Sequence, residues 1–194
     1  IVGLIINGES VKTTDGFPAD QEVTIICNQT PFYAESGGQV GDTGYLKSGA
    51  ETSFRVKDVQ RRVGDLFTHI GVIENGSFSL GDAVEMKVDA EYRSCLRANH
   101  SATHLLHESL RRHLGDHVTQ KGSLVDTQKL RFDFSHSRPV ETETLRIVEH
   151  EVNEQIRGNT EVVTQLMQPE DAIKAGAMAL FGEKYGEEVR VVSM

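Results

Sequence analysis

Two histidines at helical spacing are the first residues of this sequence with an evident chemistry. His100 and His104 stand four positions apart in the run His-Ser-Ala-Thr-His. On a helix, positions i and i+4 lie one above the other, so both imidazoles can reach one metal ion such as zinc. Thr103 shares this stripe. The spacing alone leaves a second interpretation open, a polar helix face whose histidines are hydrogen-bonded by their neighbours.

The class of zinc peptidases is disfavoured by the residues between the two histidines. Those enzymes use the glutamate of His-Glu-x-x-His as general base, and this chain has Ser101 in its place. A serine hydroxyl cannot replace a carboxylate base at that position. A metal site formed by this pair would therefore have a different chemistry.

The charge around the histidines differs from that of the rest of the chain. The 194 residues carry a formal net charge of −9, which argues against a generally basic DNA-binding protein. Residues 93–138, however, hold eight Lys or Arg, only four Asp or Glu, and six of the eight histidines. A locally basic, histidine-rich segment in an acidic chain indicates a site for an anionic ligand.

A glycine-rich stretch over residues 32–44 is the second unusual feature. It reads Phe-Tyr-Ala-Glu-Ser-Gly-Gly-Gln-Val-Gly-Asp-Thr-Gly and lacks both a Walker lysine and a strand–GxGxxG–helix setting. Gly37 and Gly38 permit positive φ angles and close backbone approach. Two interpretations stay open: a tight structural loop, or a loop whose backbone N–H groups and Gln39 line a groove beside the histidine helix.

The remaining composition is that of a cytoplasmic protein. Cys27 and Cys95 match no zinc or redox spacing, so we expect two reduced thiols. There is no signal-peptide pattern and no apolar run near the roughly 18 residues that a membrane helix needs. Because the chain begins at Ile1 rather than at a methionine, we expect it to be part of a longer protein.

Short strands separated by turn residues predict a small β-barrel subdomain over residues 1–90. The runs rich in β-branched and aromatic residues are 23–27, 54–59, 66–70 and 84–88. Turn dipeptides such as Asn75-Gly76 and Gly81-Asp82 lie between them. No helix-length periodic segment occurs in this part.

Residues 91–194 predict a second domain, an α/β core with a mixed sheet packed by helices, so the whole chain is assigned to the α+β class. A helix is expected over 91–114, with Gly115 as the glycine that follows its C-terminus. The further expected elements are strands at 118–125 and 129–134, a helix at 140–157, a strand at 161–167, a helix at 169–175 and a strand at 188–193.

Taken together, these segments resemble the editing region of bacterial alanyl-tRNA synthetases, over essentially the whole chain. The resemblance rests on the residues FYAESGGQVGD at 32–42, NHSATHLL at 99–106, QKGS at 120–123, LRFDFSH at 130–136 and GAMALFGEKY at 176–185. The same motifs occur more loosely in free-standing editing proteins.

The resemblance implies hydrolysis of serine or glycine wrongly esterified to tRNA(Ala), a proofreading step that is needed because binding alone rejects near-isosteres poorly. It implies zinc ligation by His100 and His104, and catalytic or pocket-lining roles for Thr103 and Gln120. The expected contacts to substrate or to the tRNA acceptor end come from Gly37, Gly38, Gln39, Lys121 and Arg131. Arg131 has an alternative, an ion pair with a carboxylate such as Asp133.

The resemblance also implies that the zinc site is incomplete in this chain. The family carries two more ligands in a Cys-x-x-x-His motif that follows the segment matching residues 189–194, and neither Cys27 nor Cys95 precedes a histidine at that spacing. ATP use and most tRNA recognition are expected in the remainder of the synthetase. Two alternatives stay open: a folded but inactive tRNA-binding fragment, and a free-standing editing factor.

Overall fold

A computed structural model of the protein describes residues 1–18, 20–177 and 186–193. Seven strands of the N-terminal part form one sheet in the order β2-β1-β3-β6-β5-β4-β7, and neighbouring strands run antiparallel. They are β1 (Gly3–Ile6), β2 (Glu9–Ser10), β3 (Glu22–Ile26), β4 (Gly44–Ser48), β5 (Thr52–Arg62), β6 (Leu66–Asn75) and β7 (Glu85–Val88). The strands predicted at 23–27, 54–59, 66–70 and 84–88 are confirmed.

The core of this sheet follows from residues that alternate between its two faces. On β5, Phe54 and Val56 point inward, and a register shift between Val56 and Asp58 then brings Val59 to the same face. These side chains pack with buried residues such as Leu4 and Leu46. Burying one such side chain stabilises the fold by about 1.5–3 kcal/mol.

The predicted β-barrel is not confirmed, because the sheet has two open edges. Within the described residues, β2 and β7 each pair with a single neighbour and not with one another. β2 has two residues, and so short a strand offers few backbone groups to close a barrel. Strand composition cannot reveal this, since alternating apolar residues suit an open sheet with one buried face as well as a barrel.

The helix predicted over 91–114 is confirmed as α1 (Ala90–Leu114). Asp89 begins it: its Oδ1 accepts hydrogen bonds from the backbone N–H groups of Glu91 and Tyr92, at 3.1 and 3.0 Å. Gly115 ends it with a φ of +111° and donates its N–H to the carbonyl of Arg111, at 2.8 Å.

The remaining elements agree with the sequence in type and differ in how they pair. They are β8 (Gln120–Val125), β9 (Leu130–Phe134), α2 (Thr142–Gly158), β10 (Val163–Met167), α3 (Pro169–Lys174) and β11 (Val189–Ser193). Where a mixed sheet was expected, the described residues contain two separate two-stranded sheets, β8-β9 and β10-β11. The four-residue connection between β8 and β9 restricts them to a hairpin.

Helix α2 is held to the C-terminal turns of α1 by one carboxylate. Glu151 accepts hydrogen bonds from Ser109 Oγ at 2.6 Å, His113 Nε2 at 2.8 Å and Arg112 Nη1 at 2.9 Å. The hydrogen bond from Ser109, followed by that from His113, lowers the pKa of Glu151. The carboxylate therefore stays ionised and joins the two helices.

The chain divides into two structural units, Ile1–Thr103 with Gly122–Asp133, and His104–Lys121 with Phe134–Met194. The last strand of the large sheet ends at Val88, and α1 begins at Ala90. The division into domains 1–90 and 91–194 stays a prediction. Of the helices in the described ranges, none has both the length and the apolar character required to cross a membrane.

Candidate functional site

His100 is held by the side chain of Gln39 within the first structural unit. Its Nδ1 lies 2.7 Å from Gln39 Oε1. Because an amide oxygen only accepts hydrogen bonds, Nδ1 is the protonated nitrogen and Nε2 carries the lone pair. Burial lowers the pKa of His100, so the neutral imidazole is favoured. This is the tautomer in which Nε2 can bind a metal ion.

The turn that presents Gln39 depends on two consecutive glycines. Gly37 and Gly38 have φ angles of +60° and +86°. The backbone N–H groups of Ser36 and Gln39 donate to each other's carbonyl oxygens, at 3.1 and 3.0 Å. Two positive φ angles at the centre of such a turn are typical of type I′, which disfavours residues with a Cβ.

The same loop lies against strand β8. Val40 N–H donates to Val125 O at 3.1 Å, and Val125 N–H donates to Gly38 O at 2.8 Å. A Cβ at Gly38 would lie 2.5 Å from Ser123 O. Gly38 is therefore required for close backbone approach as well as for its φ angle.

An ion pair between buried Asp42 and partly exposed Arg93 joins the glycine-rich loop to the first turn of α1. The fully buried Asp42 pairs with Arg93 and accepts the backbone N–H of Tyr33, at 2.6 Å. Arg93 also donates to the carbonyl of Pro31, at 2.8 Å. The hydrogen bond to Asp42 raises the pKa of Arg93. Local sequence patterns do not indicate this pair, although Asp42 lies in the glycine-rich stretch and Arg93 begins the basic segment.

Thr103 lies on α1 with its hydroxyl directed back along the helix. Its Oγ donates to the carbonyl of Asn99 at 2.8 Å, and the side chain is 6% exposed. Asn99 Nδ2 donates to the carbonyl of Asp126 at 2.7 Å, which joins this helix turn to the β8–β9 connection. Asn99 is a positioning residue that the sequence analysis did not assign.

The other histidines of the stripe have different environments. His104 follows His100 by one turn of the same continuous helix and is half-buried. His107 is 1% exposed, and its Nε2 lies 3.4 Å from Val118 O. His107 therefore packs into the interior of its unit.

The hairpin β8–β9 carries the three remaining predicted site residues. Gln120 begins β8 and is half-buried, and Lys121 beside it is exposed. Arg131 is exposed on β9, where its Nε lies 3.0 Å from Asp133 Oδ2. The ion pair that the sequence left open for Arg131 is thus present. A Cβ at Gly122 would lie 2.6 Å from Asp133 Oδ2, so this position suits glycine.

The chain is similar to enzymes that attach amino acids to tRNA. Residues 1–92 match the family model of class II (A) tRNA synthetases. The whole chain is 58% identical to an alanine--tRNA ligase of Parvibaculum lavamentivorans, 56% to that of Rhodopseudomonas palustris and 54% to that of Granulibacter bethesdensis. The chain is thus similar to a segment of alanine--tRNA ligases. It spans 21–22% of the length of these relatives.

The predicted metal donors of this chain are the imidazoles of His100 and His104. In the part of the chain that the structure describes, no group of three or more His, Cys, Asp or Glu side chains is placed to hold a metal ion. Burial raises the pKa of Cys27, which favours the thiol over the metal-binding thiolate. Imidazole is a donor type that suits zinc, and zinc ligation by His100 and His104 stays a prediction.

Proposed function

We propose that this chain is the editing segment of an alanine--tRNA ligase, which hydrolyses the ester bond of Ser-tRNA(Ala) and Gly-tRNA(Ala). The hydrogen bond from His100 to Gln39 carries the proposal, because it prepares a neutral imidazole one helical turn before His104. The longer protein would attach alanine to tRNA(Ala) with ATP, in the cytoplasm, through domains outside these residues. The identity over the whole chain supports this assignment.

His100 and His104 would hold zinc through one nitrogen each. With Nδ1 donating to Gln39, His100 offers Nε2 to the ion. Two imidazoles leave two positions of a tetrahedral site for ligands from elsewhere, such as the Cys-x-x-x-His of the family, or for water. When bound, zinc supplies Lewis acidity that can acidify a water molecule or hold the aminoacyl group.

Thr103 would discriminate serine from alanine. Its hydroxyl donates its single proton to Asn99 O, so the oxygen lone pairs can accept a hydrogen bond from a ligand. A seryl ester carries a hydroxyl that can donate there, and an alanyl ester carries none. A site that hydrogen-bonds a substrate hydroxyl discriminates strongly against the analogue that lacks it.

The loop and the hairpin would serve the acceptor end of tRNA(Ala). Gln120 is proposed as a pocket residue, with Lys121 contacting phosphate oxygens. Arg131 shares its charge with Asp133, so we expect it to bind phosphate more weakly than Lys121. Gly37 and Gly38 form the turn that places Gln39 beside His100.

Hydrolysis of Ser-tRNA(Ala) by this chain, and by a version extended through the Cys-x-x-x-His of the parent ligase, tests the proposal. We expect the extended protein to be at least about 100-fold faster, because it completes the metal site. In the extended protein, His104→Ala should remove most of the rate, and His150→Ala, at an exposed histidine on α2, should leave it unchanged.

Three outcomes count against the proposal. Absence of hydrolysis by either protein would refute the editing assignment. Equal rates would show that ligands beyond these residues are not needed. A His104→Ala variant that keeps its zinc and its rate would refute the ligand assignment.

A second candidate is a tRNA-binding segment that does not itself hydrolyse the ester. The observation that favours it is the two-imidazole donor set, since the described residues add no third metal-binding side chain. In that case the isolated chain would bind tRNA(Ala) in a filter-binding assay, while Ser-tRNA(Ala) would stay intact even with added zinc.

A further inference from the structure

A second pair of histidines lies within the second structural unit, outside the site described above. His117 Nε2 and His136 Nδ1 are 2.9 Å apart. Their ring centroids are 5.1 Å apart, and the ring planes differ by 20°. His117 is exposed and His136 is half-buried, so solvent reaches the pair.

The two rings meet edge to edge. Each imidazole nitrogen lies about 1.1 Å from its ring centroid, so a linear N–H···N hydrogen bond gives a centroid separation of about 5 Å. The measured 5.1 Å fits this arrangement. One proton therefore lies between His117 Nε2 and His136 Nδ1.

Backbone and hydroxyl contacts hold the chain at His117 beside Ser135, the residue before His136. Ser135 Oγ donates to His117 O at 2.8 Å and accepts the N–H of Thr119 at 3.0 Å. Ser135 N–H donates to Thr119 O, also at 3.0 Å. A Cβ at Gly115 would lie 3.1 Å from His117 Nδ1, so the glycine that ends α1 also leaves room for the ring.

The ring positions suit a tetrahedral cation. With zinc–nitrogen bonds of about 2.0–2.1 Å, two imidazoles on one tetrahedral ion have nitrogens about 3.3 Å apart and centroids about 5.2 Å apart. The present centroid separation of 5.1 Å nearly equals that value. The 2.9 Å between the nitrogens would open to about 3.3 Å if each ring turned by about 35°, which also directs both lone pairs at one ion.

We propose that His117 and His136 form a second metal site, which binds a borderline divalent cation such as Zn²⁺ through His117 Nε2 and His136 Nδ1. Water molecules complete the coordination, because the described residues place no third metal-binding side chain beside the pair. The site is independent of the proposed editing function.

Binding of a cation by the two imidazoles requires no reactant other than water. Coordination requires a lone pair on both facing nitrogens. The ring that held the shared proton then carries it on its outer nitrogen, so a neutral pair releases no proton. A pair that holds one positive charge releases one proton to solvent.

Imidazole ¹⁵N NMR of the whole chain during a titration with zinc sulfate tests this site. We expect zinc to shift the facing nitrogens of His117 and His136, while those of exposed His150 stay in place. His136→Ala should weaken zinc binding measured at His117 by at least about tenfold. His150→Ala is the matched control and should leave that binding unchanged.

The proposal is overturned if neither His117 nor His136 responds to millimolar zinc, or if His136→Ala leaves the response of His117 unchanged. The titration of the wild-type chain tests the proposal even if a variant fails to fold. A double variant, His100→Ala with His104→Ala, should keep the response at His117. Loss of that response would show that the metal signal belongs to the other histidine pair.

Discussion

At the scale of the residue, the side chain of Gln39 determines which nitrogen His100 can offer. An imidazole in water exchanges its proton between both nitrogens, and the amide oxygen of Gln39, 2.7 Å from Nδ1, favours the tautomer protonated there. The functional interpretation of the glycine-rich loop gains support from this bond. We propose that Gln39 orients His100, and its predicted contact with substrate stays a prediction.

Replacement of Gln39 by leucine tests this orientation. Gln39→Leu removes the acceptor, so we expect the Nδ1–H tautomer of His100 to lose its preference and zinc affinity at this site to fall about 10–100-fold. Gln39→Glu keeps an acceptor and should retain both the Nδ1–H tautomer of His100 and the zinc affinity. Imidazole ¹⁵N shifts of His100, followed during a zinc titration, measure both effects.

The control for this change is Gln155→Leu, at an exposed position of α2. It should leave the tautomer of His100 as it is. If Gln39→Leu kept the same His100 spectrum and the same zinc affinity, the orienting role would be refuted.

His69 predicts a pH dependence of stability. It is fully buried: Nδ1 lies 3.0 Å from Ile25 O, and Nε2 lies 2.8 Å from Thr30 Oγ. Burial lowers its pKa below the ordinary 6.5, so below pH 6.5 the unfolded chain binds more protons than the folded one. The contribution of neutral His69 is therefore present above pH 6.5 and is lost as pH falls below it.

Urea unfolding between pH 7 and pH 5 measures this effect. His69 should contribute a slope of up to about 1.4 kcal/mol per pH unit, in the same direction as His100, whose pKa burial also lowers. We expect His69→Gln to reduce the slope and His150→Gln to leave it unchanged. An unreduced slope in His69→Gln would contradict the assignment.

At the scale of the element, the two glycines of the turn at Gly37-Gly38 are required for different reasons. An alanine Cβ would meet no heavy atom within 4 Å at Gly37, and at Gly38 it would lie 2.5 Å from Ser123 O. Both φ angles are positive. The first position thus requires a backbone conformation, and the second also requires space against β8.

Alanine at each position tests this difference. Gly37→Ala should lower the free energy of unfolding by about 1–2 kcal/mol, the cost of a left-handed residue with a Cβ. Gly38→Ala should cost about 1–3 kcal/mol more, because the backbone of Ser123 must also move. Urea unfolding of the two variants provides the measurement, and equal losses would contradict the close approach.

At the scale of the whole molecule, the charge distribution predicts how tRNA would bind. The net charge of −9 repels a polyanion, while the excess of Lys and Arg over residues 93–138 attracts phosphate groups. We therefore expect weak tRNA(Ala) binding by this chain, which weakens further as salt rises.

Exposed Lys121 should account for part of this salt dependence. Lys121→Ala should weaken tRNA(Ala) binding and reduce the slope of log K against log salt by about one, the effect of one lost phosphate contact. Filter binding at salt concentrations from about 50 to about 200 mM measures this slope. Lys57→Ala, at an exposed lysine on β5, should keep the wild-type slope; equal slopes in both variants would refute the contact.

Much of the fold could be predicted because its signals are local. The length of α1 follows from an aspartate cap and a terminal glycine, and the turn of the glycine-rich loop follows from its two adjacent glycines. Helical spacing of four residues places His100 and His104 on one stripe wherever that helix lies. The sequence by itself thus determined the types of element and the placement of both histidines on one stripe of this helix.

Contacts between distant residues were decided by the tertiary structure alone. Gln39 and His100 are 61 positions apart, and Asp42 and Arg93 are 51 apart. The burial of His107, the open edges of the sheet and the meeting of His117 with His136 likewise depend on which elements pack together. Local propensity and periodicity carry no information on such pairings, because the same amphipathic pattern can bury its apolar face against different partners.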